Sequence, residues 1–179
     1  MPILTITNND LQLSPDDYNY NYQPYLTNRL ENTRDDFNQE ILNEIVLWKV
    51  NRYAHFENDL IAEINQIDSD AIFIDYNLIR HIFNRLLNTN GVGLPMASTI
   101  LRFKNKNVFQ IIDQRVYRIL YGVPLKVFTE RNITEAIEVY INYLIKLKEV
   151  CIEKNIEFSE SDRVLYMMDK RVNGGINIH

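Results

Sequence analysis

The run Gly91-Val92-Gly93, followed at once by Leu94-Pro95, lies between two segments of helical apolar period and makes the chain reverse there. Glycines permit backbone conformations and close approaches that side chains forbid. Pro95 suits the first turn of a following helix, where a missing N–H costs little. With Ala97 the run completes a G-x-G-x-x-x-A pattern, and Ala97, Ser98 and Thr99 are small enough for two helices to pack closely. The spacing predicts a helical hairpin over residues 76–103. A helix starting at Leu94 points free N–H groups and its positive dipole end out of the turn, an arrangement suited to a phosphate. The plain alternative is a tight helix–helix connection with no ligand.

The rest of the chain has the same period. Phe37, Ile41, Ile45 and Trp48, with Leu42 and Val46 beside them, predict a buried helix to about Tyr53. Further helices are expected over 56–67, 76–87, 94–103, 114–121 and 134–154. A last one, capped by Ser159 or Ser161, runs to about Val172 before Gly174-Gly175. No long β-alternation and no repeat appears. The expected fold is all-α, seven or eight helices in one or two small lobes. Residues 1–34 are rich in Asn, Tyr and Pro and read as an arm packed on a helical domain, 35–179. A short strand fits Ile3–Thr7. The alternating Tyr18, Tyr20, Tyr22 and Tyr25 either pack on the surface or stack on bases.

A chain of 179 residues with 46% hydrophobic content is most simply one globular domain with a real core. No run of 18 uncharged apolar residues is present, and the first ten residues lack the features of a signal peptide. Cys151 is the single cysteine, which excludes an internal disulfide and a four-cysteine iron–sulfur cluster. The histidines, His55, His81 and His179, have no zinc-site spacing. The expectation is a reduced cytoplasmic protein with no membrane partner.

Net charge is −5, but it is unevenly spread. Residues 1–50 carry three basic against eight acidic side chains. Residues 101–131 carry seven basic ones, Arg102, Lys104, Lys106, Arg115, Arg118, Lys126 and Arg131, against Asp113 and Glu130. Phosphate binding follows local potential rather than the total, so this stripe beside the hairpin is either a nucleic-acid footprint or a solvated face. Within it, Asp113 follows Ile111-Ile112 and precedes Val116, Ile119 and Leu120. It should sit partly desolvated at a helix start, where it serves at least as an N-cap.

The block GVGLPMASTILRFKNKNVFQIIDQRVYR, residues 91–118, resembles the helix-hairpin-helix superfamily of DNA base-excision glycosylases. The hairpin Gly-Val-Gly and the 22-residue step from Gly91 to Asp113 resemble the endonuclease III and adenine-glycosylase branches. About 30 of 179 residues match well. The resemblance implies duplex DNA held with one nucleotide flipped out, a monomer, and hydrolysis of an N-glycosyl bond promoted by Asp113. It implies DNA contacts from Gly91, Gly93, Leu94, Arg102, Lys104, Lys106, Arg115 and Arg118. It also implies a wedge from Asn51 or Arg52 and a potassium or sodium ion on hairpin carbonyls, with no organic cofactor. Lyase-competent members carry a nucleophilic lysine where this chain has Pro95, so the resemblance is to the monofunctional, water-attacking branches. Lys104, Lys106 and Lys170 are the alternative amines. Glu44, on the apolar side of its helix, is either a second acid, as the adenine-glycosylase branch implies, or one half of a salt bridge. Asp162, Arg163, Asp169 and Lys170 read as ion pairs or as residues shaping a base pocket. The other reading is a non-catalytic DNA-binding module of a repair or defence assembly.

Overall fold

The computed structural model describes residues 22–33, 37–50, 53–73 and 75–176. Among them are eight α-helices and no strand, an all-α fold. The chain divides into two compact units between Tyr53 and Ala54. Sequence reading set off an arm ending at residue 34 instead. The strand expected at Ile3–Thr7 and the wedge residues Asn51 and Arg52 lie outside the described residues.

The first unit pairs α1 (Pro24–Asn32) with α2 (Gln39–Lys49). Helix α1 corrects the expectation of an arm or loop. Pro24 opens it and Leu26 is fully buried, so one apolar anchor in a polar, Asn-rich stretch suffices once it has something to pack on. Asn38 caps α2 by accepting from the Ile41 N–H at 2.9 Å. Trp48 donates from Nε1 to Thr27 Oγ1 at 2.9 Å, and Tyr22 donates to the Trp48 carbonyl at 2.9 Å. Of the apolar side expected to bury α2, only Ile41 is fully inside. Phe37, Leu42 and Val46 stay exposed, because a two-helix pair has too little surface to cover them.

The second unit holds α3 (Asn58–Asn65), α4 (Tyr76–Leu87), α5 (Leu94–Lys104), α6 (Gln114–Tyr121), α7 (Ile133–Lys154) and α8 (Ser161–Asn173). Helix α7 is its axis. Ala136, Ile137, Tyr140, Ile141, Leu144, Leu147 and Cys151 recur at spacings of three and four and are all buried. Side chains of this size each stabilise by roughly 1.5–3 kcal/mol when fully buried. Phe83 of α4 meets Tyr140 with ring centroids 4.3 Å apart. The two buried phenols keep partners in the stretch between α5 and α6: Tyr140 donates to the Gln110 carbonyl at 3.0 Å and Tyr143 to the Ile111 carbonyl at 2.6 Å. Those bonds fix the strand of chain that delivers Asp113.

Helix α8 starts differently from expectation. Neither Ser159 nor Ser161 caps it; its first position follows a 3₁₀ turn, Phe158–Glu160, the N-cap residue Glu160 makes no side-chain cap, and Asp162 of the first turn accepts from the Arg163 N–H at 2.7 Å. Ser161 instead donates to the Phe158 carbonyl at 2.7 Å, and the Ser159 carbonyl accepts from Arg102 at 3.1 Å.

Candidate functional site

Helix α4 is capped by Asp75, whose carboxylate accepts from the N–H groups of Asn77 and Leu78 at 2.9 and 3.1 Å. It ends at Leu87, and the turn to α5 uses one left-handed position, Gly91, at φ +84°, which glycine adopts without strain. Val92 and Leu94 point inward while Gly91 and Gly93 face solvent. The turn therefore offers bare backbone outward and anchors itself inward. Gly93 departs from expectation. Its backbone is extended (φ −92°, ψ 174°), and a Cβ there would meet nothing nearer than Pro95 Cδ at 3.9 Å. Glycine is required at the first position of the pair but not at the second. Pro95 occupies the first turn of α5, and its carbonyl accepts from the Ser98 and Thr99 hydroxyls at 2.8 Å. Ala97 and Ser98 are fully buried, as small residues at a helix–helix contact should be.

Two clefts of about 230 Å³ flank this turn. One is lined by Asn90–Leu94 and by Phe128 and Thr129 from the loop before α7. The other lies between Gly93–Pro95 and Gln114, Leu125, Lys126 and Phe128. Gln114 and Leu125 exchange two hydrogen bonds, of 2.7 and 2.9 Å, which hold that loop against the hairpin. For a potassium or sodium ion the turn offers backbone carbonyl oxygens. Those of Thr89 and Gly93 already accept from the Val92 and Ala97 N–H groups at 3.0 Å.

Asp113 sits where the sequence pattern put it, as N-cap of α6, its carboxylate accepting from the Val116 N–H at 2.8 Å. The residue before it is tied to the hairpin: Ile112 N–H donates to Ser98 Oγ of α5 at 3.2 Å. Asp113 is half-buried and lines a cleft of about 290 Å³ with Ile111, Val116, Asp162, Arg163, Tyr166 and Met167. Burial pushes its carboxyl above the usual aspartate value. The Val116 and Arg115 N–H groups and the Arg115 charge pull it down, and Asp162 pushes it up again. Such a carboxylate, with mostly apolar neighbours, can take up a proton or stabilise a positive centre brought against it.

Three of the seven basic side chains of the stripe are turned toward buried aspartates, while Lys106, Lys126 and Arg131 are exposed. The phosphate contact expected of Arg102 is corrected: this side chain is buried, 3.6 Å from Asp162 through Nε, and donates to the Ser159 carbonyl. A guanidinium committed inside cannot reach a phosphate. Arg118 grips the fully buried Asp169 with two bonds, of 3.0 and 2.6 Å, and Arg115 adds a third at 3.2 Å. Asp169 is held down to about 2 by these donors, Arg118 foremost. Lys126 is paired with Glu135 at 2.8 Å. Lys104 reaches the Asn65 carbonyl at 3.2 Å, and Lys106 is exposed. Lys170 stands over the Tyr166 ring at 5.7 Å.

Glu44 belongs to the first unit and Asp113 to the second. Glu44 is 3.0 Å from Arg29 of α1, so it forms the interhelix salt bridge rather than standing free. Sequence reasoning passed over Tyr166 and Met167, which form the apolar wall of the Asp113 cleft. Their signal was present: on α8 they share a side with Asp162, Arg163 and Asp169, which the sequence reads as ion pairs or as residues shaping a base pocket. No group of histidine, cysteine or acidic side chains among the described residues is arranged to hold a metal ion. No helix among them is long and apolar enough to cross a membrane. No family model, no curated protein and no solved structure matches this chain, so its site is read from its own geometry.

Proposed function

We propose that the Ala54–His179 unit binds duplex DNA through the turn between α4 and α5 and hydrolyses the N-glycosyl bond of a damaged or modified nucleotide flipped into the Asp113 cleft. One observation carries this reading. A half-buried carboxylate lines a cleft large enough for a planar base, on a segment hydrogen-bonded directly to the hairpin helix. In the reaction Asp113 faces the sugar as the bond to the base lengthens, stabilises its developing positive charge and orients or deprotonates the attacking water. Tyr166 and Met167 supply the apolar wall against which a base would lie. Exposed Gly91 and Gly93 backbone, with Lys104 and Lys106, hold phosphates of the flanking strand; Arg115 and Arg118 contribute only the N–H groups that Asp169 leaves free. Pro95 has no amine, so the product is an intact abasic site. One copy of the chain suffices for this chemistry.

A second reading, a DNA-binding module without catalysis, is favoured by a specific observation. Asp113 already has a structural occupation as the cap of α6, and three arginines of the basic stripe are spent on buried aspartates. The two readings separate in one experiment. The protein and its Asp113→Asn variant are incubated with duplexes carrying a panel of damaged and modified bases, and abasic sites are scored after alkali. Abasic product from the wild type that drops at least a hundredfold in the variant supports the glycosylase. Binding without product in both leaves the module.

A further inference from the structure

Away from the Asp113 cleft, the open end of α7 forms a groove of about 520 Å³ with Phe158 and the chain before α4. Its wall is mixed: Ile72 and Ile152 are 64% and 84% exposed, Ile156 and Phe158 are half-buried behind them, and exposed Asn107 and Asn155 add polar side chains. Cys151 forms the floor. Burial pushes its thiol above the usual value, so it is a wall and not a nucleophile. Into this groove comes one cation, Lys148, with its ammonium 5.3 Å from the centre of the Phe158 ring. Among the described residues no carboxylate pairs with it. Glu149 and Glu153, the acidic residues that follow on the same helix, are taken by Lys146 and Lys154 at 3.3 and 2.6 Å. A cation half-desolvated against apolar side chains without a counter-charge is costly to keep. Burial alone holds this ammonium below the usual lysine value, and an arriving anion would restore it.

We propose that this groove binds a small amphipathic carboxylate, an apolar body along Ile72, Ile152 and Ile156 with its single carboxylate on Lys148. Charge decides the class. One ammonium with no paired carboxylate, flanked by Ile72, Ile152, Ile156 and Phe158, suits one anionic group on an apolar body and neither a polyanion nor a neutral lipid, with the Asn107 and Asn155 amides as further hydrogen-bond partners. The volume lies within the range of roughly 300–1,000 Å³ usual for small-molecule sites, which are mostly apolar with few polar anchors.

The probe is decanoate, used below its aggregation threshold, with decanol and decylamine as neutral and cationic controls. Binding to the full chain is followed by calorimetry and by isoleucine methyl NMR. Decanoate is expected to saturate, to bind at least about tenfold more tightly than decanol, and to shift the methyls of Ile72, Ile152 and Ile156. Lys148→Met keeps the apolar stem and should weaken decanoate about tenfold while leaving decanol unchanged; Lys148→Arg should retain most of the affinity. Equal binding of decanoate and decanol to the wild-type chain overturns the proposal without recourse to any variant. So does an absence of saturation, or methyl shifts confined to other parts of the chain.

Discussion

Replacing Asp169 by asparagine tests whether α8 is held in place by charge. The fully buried carboxylate accepts four hydrogen bonds: two from Arg118, one from Arg115 and one from Asn173 at 2.8 Å. Asparagine keeps the volume but turns an N–H donor toward two guanidinium groups and removes their counter-charge. Breaking a buried pair by removing one partner costs about 3–5 kcal/mol. Arg115 and Arg118 retain some contact with water, which lowers the figure to about 2–3 kcal/mol. The acid limb gives an independent magnitude. Asp169 is depressed to about 2 in the folded chain from a usual 3.8. A carboxyl displaced that far stabilises by about 2.5 kcal/mol, or about 1–2 after allowing for solvent around the arginines. Because the folded value is the lower one, this stability is fully present above pH 4 and is lost as pH falls toward 2. Urea unfolding followed by circular dichroism at pH 7 should show the midpoint of Asp169→Asn lowered by about 1–1.5 M. The gap should narrow below pH 4 and close only as pH falls to about 2 and below. A midpoint within about 0.3 M of wild type at pH 7, or a constant gap down to pH 2, would refute the account of α8 docking.

The turn distinguishes its two glycines: Gly91→Ala places a Cβ at φ +84° and should cost about 1–2 kcal/mol, whereas Gly93→Ala should be nearly neutral in thermal unfolding. DNA binding, measured by fluorescence anisotropy, should weaken with salt at a logarithmic slope of about −2 to −4, set by a few phosphate contacts; a flat salt dependence would exclude the proposed interface. Asp113→Asn retains most of the cap and should unfold within about 1 kcal/mol of wild type at pH 7. Because the Asp113 carboxyl is raised in the folded chain, wild-type stability declines as pH rises through its titration, and the asparagine variant should lack that decline in an unfolding series from pH 4 to 7. Borohydride added during turnover should trap no protein–DNA adduct; a trapped adduct would send the search to Lys104, Lys106 or Lys170.

Periodicity and turn chemistry, read along the chain, determined nearly every helix of the second unit, the reversal at Gly91 and the capping position of Asp113. These depend on neighbours within four residues, where glycine, proline and apolar spacing act directly. Helix α1 was illegible because its sequence is polar and its stability rests on a few tertiary contacts of Leu26 and Thr27 with what surrounds them. The serine cap of α8 failed because Ser159 lies in the preceding 3₁₀ turn and Ser161 is already the first helical residue, so neither holds the N-cap position. Charge was the least local property of all. A count along residues 101–131 shows a basic stripe, but helical geometry sends Arg102, Arg115 and Arg118 toward Asp162 and Asp169, more than fifty residues away in sequence. Only the tertiary structure decides whether such a cation faces solvent or a buried carboxylate, because its partner is chosen by packing and not by proximity along the chain.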